Sequence, residues 1–240
     1  MDTIYLDNNH HLQAMKPCVA TIGFFDGVHR GHQFLIKQVV DDARREGLES
    51  LVITFDQHPR KVLQSDYQPQ LLSTLDEKLV LLSKTEIDHT VVLHFDKAMA
   101  SLSAYDFMAH VLRDKLKVKK LFIGYDNRFG HNRAEGFNEY VKYGQQLGIE
   151  VLKSTAFVMN GVNVSSTVIR SLLKDGEVEL ANHCLGYPYT LFGRVVRGFQ
   201  QGRKLGFPTA NLDSGSHDQL IPAQGVYAVM TRIEGSVVYM

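Results

Sequence analysis

The chain has 240 residues, of which 44% are hydrophobic and 22% charged, enough for one large globular domain or for a large and a small one. Lysine plus arginine and aspartate plus glutamate number 26 each, which argues against a general nucleic-acid binder and favours a small-molecule partner. No apolar run approaches membrane-spanning length, and Cys18 and Cys184 have no metal-ligand spacing, so we expect a reduced, cytoplasmic protein.

Apolar runs alternate with helical periods along the chain as far as Leu152. Because helices connect the strands of parallel sheets, this alternation predicts an α/β fold with a Rossmann-like parallel sheet covered on both faces. The predicted strands are 19–22, 50–55, 89–93, 120–124 and 149–152, and the predicted helices are 33–46, 74–85, 103–116 and 134–147.

The texture of the sequence changes after Cys184. Short β-like segments at 189–196, 226–233 and 236–239 are joined by glycine-rich loops with no helical period between them. The glycine and proline within 185–188 predict a linker, so we expect a first domain over 1–184 and a second, β-rich one over 185–240. The second has too few strands to close a barrel by itself.

The segment 23–32, Gly-Phe-Phe-Asp-Gly-Val-His-Arg-Gly-His, is the most informative motif of the chain. It joins the first predicted strand to the first predicted helix, whose opening N–H groups have no intrahelical partner and whose dipole favours an anion. Gly27 and Gly31 let a phosphate approach the backbone, and His29 and His32 supply donors. We predict a phosphate site here, rather than an ordinary turn with surface histidines.

Three further clusters point to the same kind of ligand. His58 and Pro59 follow the second strand and Asp126 and Arg128 the fourth, which places both on the rim of the first motif. Residues 165–170, Ser-Ser-Thr-Val-Ile-Arg, put hydroxyls at a helix start and an arginine one turn later. A turn, a solvated loop or a helix cap would explain each cluster alone, but together they predict a pocket for an anion.

This pocket has histidine, hydroxyl and arginine donors but no nucleophile held by a base. It suits direct nucleotidyl transfer, in which a phosphate oxygen of one substrate attacks the α-phosphorus of a nucleoside triphosphate. The sequence has no Walker A loop, no Gly-x-Ser-x-Gly elbow, no His-Glu-x-x-His and no Gly-x-Gly-x-x-Gly after the first strand. The reactions those motifs serve are therefore poorly supported.

A fourth cluster, at 198–211, lies in the β-rich part. Its basic, glycine-punctuated loop is followed by a hydroxyl at Thr209 and an amide at Asn211, which together can hold phosphates and a magnesium ion. A mobile glycine-rich loop is the simpler alternative.

In their order along the chain, these motifs strongly resemble those of the bacterial riboflavin kinase/FMN adenylyltransferase family, also called FAD synthetase. The resemblance runs from about Cys18 to the C-terminus through five motifs. They are the 23–32 segment, Thr-Phe-x-x-His-Pro, Gly-x-Asp-x-Arg-Phe-Gly, Ser-Ser-Thr-x-Ile-Arg and Gly-Arg-x-Leu-Gly-Phe-Pro-Thr-Ala-Asn. It implies a domain that joins FMN to the AMP of ATP with release of pyrophosphate, followed by a β-barrel kinase that makes FMN from riboflavin, with Mg²⁺ serving both.

The resemblance also implies roles for individual residues. His29 and His32 would contact the ATP phosphates and the transition state, and Arg170 would join them. The other implied residues are Gly23, Phe24, Asp26 and Gly31 in the loop, Asp126, Ser165, Ser166 and Thr167 at the nucleotide, His58 and Pro59 on the flavin phosphate side, Gly202, Arg203, Lys204 and Gly206 in the kinase phosphate loop, and Thr209 and Asn211 as the ATP-magnesium pair.

The chain departs from the family pattern at Gln57, Asn127 and Tyr187, where the family usually has proline, phenylalanine and arginine. None of these removes a donor that the family uses in adenylyl transfer, although the affinity for flavin could differ. The family's kinase places its glutamate base well beyond 225–227, whereas this chain ends at Met240. We therefore expect adenylyl transfer but no riboflavin kinase activity from this chain.

Two other functions remain open at this stage. A related His-x-Gly-His transferase acting on a pantetheine phosphate or a glycerol phosphate would explain the first domain but not the Pro-Thr-Ala-Asn segment. A flavin- or nucleotide-binding module with little catalysis would explain the motifs without turnover.

Overall fold

A six-stranded sheet, parallel throughout, forms the centre of the protein. The computed structural model describes residues 1–6, 15–64, 66–125, 127–131, 134–159, 161–207, 209–215, 218–233 and 236–239. The sheet strands are β1 (Asp2–Leu6), β2 (Cys18–Ile22), β3 (Glu49–Phe55), β4 (His89–Leu93), β5 (Val118–Ile123) and β6 (Glu150–Lys153). Their order across the sheet is β1-β4-β3-β2-β5-β6, which confirms the predicted α/β fold.

The helices lie between the strands, as the alternation predicted. The ends of three helices have recognisable caps: Gly47 ends α1 at φ 66°, a Thr74–Glu77 capping box opens α3, and the Ser103 hydroxyl caps the helix that begins at Ala104. The helices are α1 (Arg30–Glu46), α2 (Pro59–Leu63), α3 (Leu75–Leu82), α4 (Lys97–Ser101), α5 (Ala104–Asp106, continued by a π-helix over Phe107–Lys115), α6 (Phe137–Leu147), α7 (Ser166–Lys174) and α8 (Val178–Leu185).

The core explains why these segments fold as they do. Every residue of β2 is buried, since the strand lies in the middle of the sheet with helices on both faces. The helices over 104–115 and 137–147 cover one face of the sheet, and the other is covered by the apolar stripe of α1, Leu35, Ile36, Val39, Val40 and Ala43. The chain runs from β2 through β3 to β4 on one side and then crosses to β5 on the other. The crossover makes the carboxyl end of β2 the switch point at which ligands bind in such sheets.

Some elements differ from those predicted. The edge strand β1 was not foreseen, and α1 starts at Arg30 rather than Gln33 because His29 caps it. In the β-rich part, the predicted strand 189–196 is reduced to β9 (Arg194–Val196). The expectation of no helix there is wrong, because one turn, α9, forms over Gln201–Lys204.

The remaining strands form short antiparallel pairs. These pairs are β7 (Val158–Met159) with β8 (Val162–Asn163), β9 with β10 (Asn211–Asp213), and β11 (Met230–Ile233) with β12 (Ser236–Tyr239).

None of the helices in the described part of the chain has the length and apolarity needed to span a bilayer.

Candidate functional site

The connection from β2 to α1 is a strained turn. Phe25 has φ 55°, and the β-branched Val28 has φ 35°, in a region that such residues rarely occupy. Between them, Asp26–Val28 form one 3₁₀ turn whose residues are all buried. Strain of this kind persists only where surrounding contacts fix it, and it concentrates at functional sites.

His29 and His32 stack on each other at the start of α1. Their ring centroids are 3.6 Å apart, and His29 Nδ1 accepts the His32 backbone N–H at 3.4 Å. Since Nδ1 is an acceptor, the neutral His29 ring carries its hydrogen on Nε2 and can donate it to a ligand. Nδ1 of His32 is buried without a hydrogen-bond partner in the described part of the chain, as expected of a group that meets a ligand.

Both histidines are held in the neutral form. Burial, aided by the Arg170 charge, lowers the pKa of His29 to about 3. Burial also lowers the pKa of His32 well below its usual value, with further contributions from His29, Lys78 and Arg170. The pair therefore offers neutral donors within a cationic surrounding.

Asp26 ties the turn to two other segments. Its Oδ1 accepts the N–H groups of Leu72 at 2.9 Å and Ser73 at 3.2 Å, and its Oδ2 lies 2.6 Å from an Arg170 nitrogen. Burial raises the pKa of Asp26, while Arg170 and the two N–H donors oppose that shift. Arg170 also donates from Nε to the Gln70 carbonyl at 2.7 Å. Because a guanidinium has five N–H groups, these two contacts leave others that can donate to a ligand.

The hydroxyls predicted at the start of α7 divide between structural and exposed positions. Ser165 is the N-cap and accepts the Val168 N–H, whereas Ser166 donates to the Asp26 carbonyl at 3.2 Å. Thr167 is exposed in the first turn. A Cβ on Gly31 would lie 3.1 Å from the Val164 carbonyl, so glycine lets α1 approach the start of α7 closely.

A cavity of about 290 Å³ lies beside Phe24, in the connection from β2 to α1. The His58 ring meets the Phe24 ring edge-on at 4.8 Å and lies 5.1 Å from the Tyr67 ring. Burial, together with nearby cations led by Arg170, lowers the pKa of His58 to about 4. Pro59 follows as the first residue of α2. His58 therefore lies on the same rim as His29, as predicted, and presents a neutral ring.

Lys78 is a member of the site that the sequence interpretation missed. It is 2% exposed, donates to the carbonyls of Phe24 at 3.1 Å and Phe55 at 3.0 Å, and lies 4.2 Å from the Phe24 ring centre. Burial lowers its pKa to about 8, while Asp26 and Asp56 oppose that effect. The sequence pattern that could have identified Lys78 is its position four residues before Leu82, which places both residues on the buried face of α3.

The loop after β5 is described only in part. Asp126 lies outside the described residues, and Arg128 is exposed. The three departures from the family pattern all make hydrogen bonds to main-chain carbonyls. Asn127 donates to Ile22, Gln57 to Phe95 and Tyr187 to Gly27.

In the β-rich part, two glycines pack against the two predicted magnesium ligands. Gly202 and Arg203 lie in α9, and a Cβ on Gly202 would lie 3.3 Å from the Thr209 hydroxyl. A Cβ on Gly198 would overlap the Asn211 amide. Lys204 ends the helical turn and Gly206 follows at φ 83°. Thr209 and Asn211 carry side-chain oxygens, the ligand type that magnesium prefers.

The geometry defines the class of protein: a parallel α/β sheet with a neutral histidine pair at a helix N-terminus, the form taken by enzymes that act on nucleotide phosphates. The FAD synthetase family model matches residues 11–168 and the riboflavin kinase family model matches 185–240. The chain belongs to the FAD synthetase family.

Individual relatives agree with this assignment. The bifunctional riboflavin kinase/FMN adenylyltransferase of Escherichia coli (strain K12) is 39% identical over 212 residues, covering 88% of this chain and 67% of that protein. The Haemophilus influenzae protein of the same name is 35% identical over 227 residues, covering 95% and 73%. A crystal structure from Streptococcus pneumoniae, described as a macrolide-efflux protein, matches with a TM-score of 0.88 and 30% identity over 100% of this chain and 77% of that one.

Replacing Asp26 tests whether the buried ion pair holds the site together. Asp26→Asn leaves Arg170 without its buried carboxylate, and we expect the free energy of unfolding to fall by about 3–5 kcal/mol. Asp41→Asn, in the exposed Lys37–Asp41 pair, should cost less than about 0.5 kcal/mol. Urea unfolding of both variants makes the comparison, and equal losses would contradict the structural role of Asp26.

Acid should destabilise the protein through His29. Between its unfolded pKa near 6.5 and its folded pKa of about 3, only the unfolded chain binds the proton, so stability falls as pH falls through this window. From about pH 7 to about pH 5, wild type should lose about 2 kcal/mol more than His29→Asn. The exposed His183→Asn variant should lose as much as wild type. An equal loss in His29→Asn would show that His29 is not held neutral.

Proposed function

We propose that this chain transfers the adenylyl group of ATP to FMN, giving FAD and pyrophosphate. The observation that carries the proposal is the adjacency of two binding features on one rim. One is the His29–His32 turn with Arg170, which suits a polyphosphate. The other is the cavity beside Phe24 and His58, which suits an aromatic ring.

The polyphosphate of ATP would bind at the N-terminus of α1. Its unpaired N–H groups and the helix dipole favour an anion, and the His29 Nε2–H and the free N–H groups of Arg170 add donors around it. Thr167, which is exposed in the first turn of α7, can add a hydroxyl. Donors fixed in this way stabilise charge that develops on the phosphates without a protein nucleophile.

The reaction then needs alignment more than covalent chemistry. A phosphate oxygen of FMN forms a bond to the α-phosphorus of ATP while the bond from that phosphorus to the bridging oxygen of the β-phosphate breaks. Pyrophosphate leaves with that electron pair. The two histidines enter the reaction neutral, so they act as hydrogen-bond donors to the departing charge, and the Arg170 guanidinium adds further donors.

The flavin side is supported by two aromatic rings in the cavity wall. Phe24 and His58 present ring faces and edges of the kind that bind a planar ligand, and Tyr67 packs against His58. Lys78 and Lys61 in the same wall supply positive charge for a phosphate.

Magnesium and the second activity rest on the β-rich part. Thr209 and Asn211 would hold Mg²⁺ there, where the ion would neutralise charge on ATP phosphates, with Gly202, Arg203, Lys204 and Gly206 around the phosphates. FMN formation from riboflavin and ATP, measured with this chain, tests the second activity.

The adenylyl-transfer proposal predicts FAD formation from FMN, ATP and Mg²⁺, measured by chromatography. His29→Ala should lower the rate at least about a hundredfold while FMN binding is retained, because it removes a transition-state donor. His183→Ala, at an exposed site, should leave the rate unchanged.

Two outcomes would replace the proposal. Tight flavin binding by wild type without FAD formation would favour a binding module. Adenylylation of pantetheine phosphate or cytidylylation of glycerol phosphate, but no reaction with FMN, would favour a related transferase.

A further inference from the structure

The chain segment 218–220 lies against the part of the protein that the FAD synthetase family model matches, although it belongs to the part matched by the riboflavin kinase model. The Leu71 N–H donates to the Asp218 carbonyl at 2.7 Å, and the Leu220 N–H donates to the Leu71 carbonyl at 2.8 Å. These two bonds make a parallel bridge between Leu71 and Gln219. Residues 218–220 thus lie alongside the segment that leads into α3.

The bridge is anchored by apolar and polar contacts. Leu220 is 6% exposed and belongs to the same buried cluster as Leu72 and Ile169. The Tyr189 hydroxyl donates to the Leu220 carbonyl at 2.6 Å. Burial of this leucine fixes the segment in place, since freeing it would expose apolar surface.

Gln219 links the segment to α3. Its side chain is buried, and its amide nitrogen donates to Glu77 Oε2 at 3.2 Å and to the Thr190 carbonyl at 3.1 Å. The same Glu77 oxygen accepts the Thr74 N–H at 2.6 Å and so completes the cap of α3. The next residue along the helix is Lys78, so the position of Lys78 depends on the turn that Gln219 holds.

Asp218 and Gln219 also line the cavity beside Phe24, His58 and Lys78. At the cavity wall, Asp218 forms an ion pair with Lys61 at 2.7 Å. The cavity wall is therefore built from both matched parts of the chain.

We propose that Gln219 is a positioning residue for FMN: it holds the first turn of α3, and with it Lys78, in the wall of the cavity. The identity of the ligand rests on the proposed adenylyl transfer. The affinity for FMN of the part matched by the FAD synthetase model, 11–168, then depends on a residue of the part matched by the riboflavin kinase model, 185–240. ATP, which binds on the His29 side, is not affected by Gln219.

Gln219→Met tests this inference because it removes the amide donors and keeps the side-chain length. We expect the KM for FMN to rise about tenfold, as for loss of a buried hydrogen-bond partner, with the KM for ATP and kcat within about twofold of wild type. Gln224→Met, the same change at an exposed position in the same part of the chain, should leave all three unchanged. An unchanged KM for FMN would overturn the proposal, as would an equal change in the KM for ATP.

A second variant and a second measurement separate this test from folding and from catalysis. Asp218→Asn frees Lys61 from its ion pair at the cavity wall and leaves Gln219 in place, so the KM for FMN should not rise and the melting temperature should be kept. A rise equal to that of Gln219→Met would contradict the specific role of Gln219. Hydrogen exchange at the Leu71 amide should slow when FMN is added to wild type and not to Gln219→Met. This readout needs no turnover, so a wild type that makes no FAD would contradict the proposed function alone. Absence of FMN protection at Leu71 in wild type would overturn the positioning role.

Discussion

The ion pair between the buried Asp26 and the partly exposed Arg170 is the interaction on which the site depends. It joins the turn after β2 to α7, and the second carboxylate oxygen joins both to the backbone at 72–73. Taking two charges out of water costs free energy that their attraction repays only with good geometry and further hydrogen bonds. Here the further hydrogen bonds are present, so the pair fixes one arrangement of three segments that are distant in sequence.

The strained turn and the neutral histidines lie beside this ion pair. Phe25 and Val28, on either side of Asp26, have positive φ in the connection from β2 to α1. Burial is the main cause that lowers the pKa of each histidine, and the charge of Arg170, which anchors Asp26, adds to that effect. The N-terminus of α1 is left with neutral donors, a positive helix end and one partnered guanidinium, which together suit a polyphosphate.

The local parts of this structure could be predicted from the sequence, whereas the distant contacts could not. Buried strands, the apolar stripe of α1 and the Ser103 cap are encoded by neighbouring residues, and the turn at 23–32 carries its own glycine and histidine pattern. By contrast, β1 is defined by pairing with β4, and Gln219 meets Glu77 across 142 positions of sequence separation. The spacing that buries Lys78 was visible, but its two carbonyl acceptors come from the ends of separate strands.

The central claim is that this rim transfers the α-phosphorus of ATP, rather than the γ-phosphorus, to a flavin phosphate. Incubation with FMN, Mg²⁺ and ATP carrying radioactive phosphorus at the α position, in parallel with ATP labelled at the γ position, tests it directly. Adenylyl transfer predicts that the α label appears in FAD and the γ label in pyrophosphate. A flavin product that carries the γ label, or a flavin that acquires neither label, would contradict it.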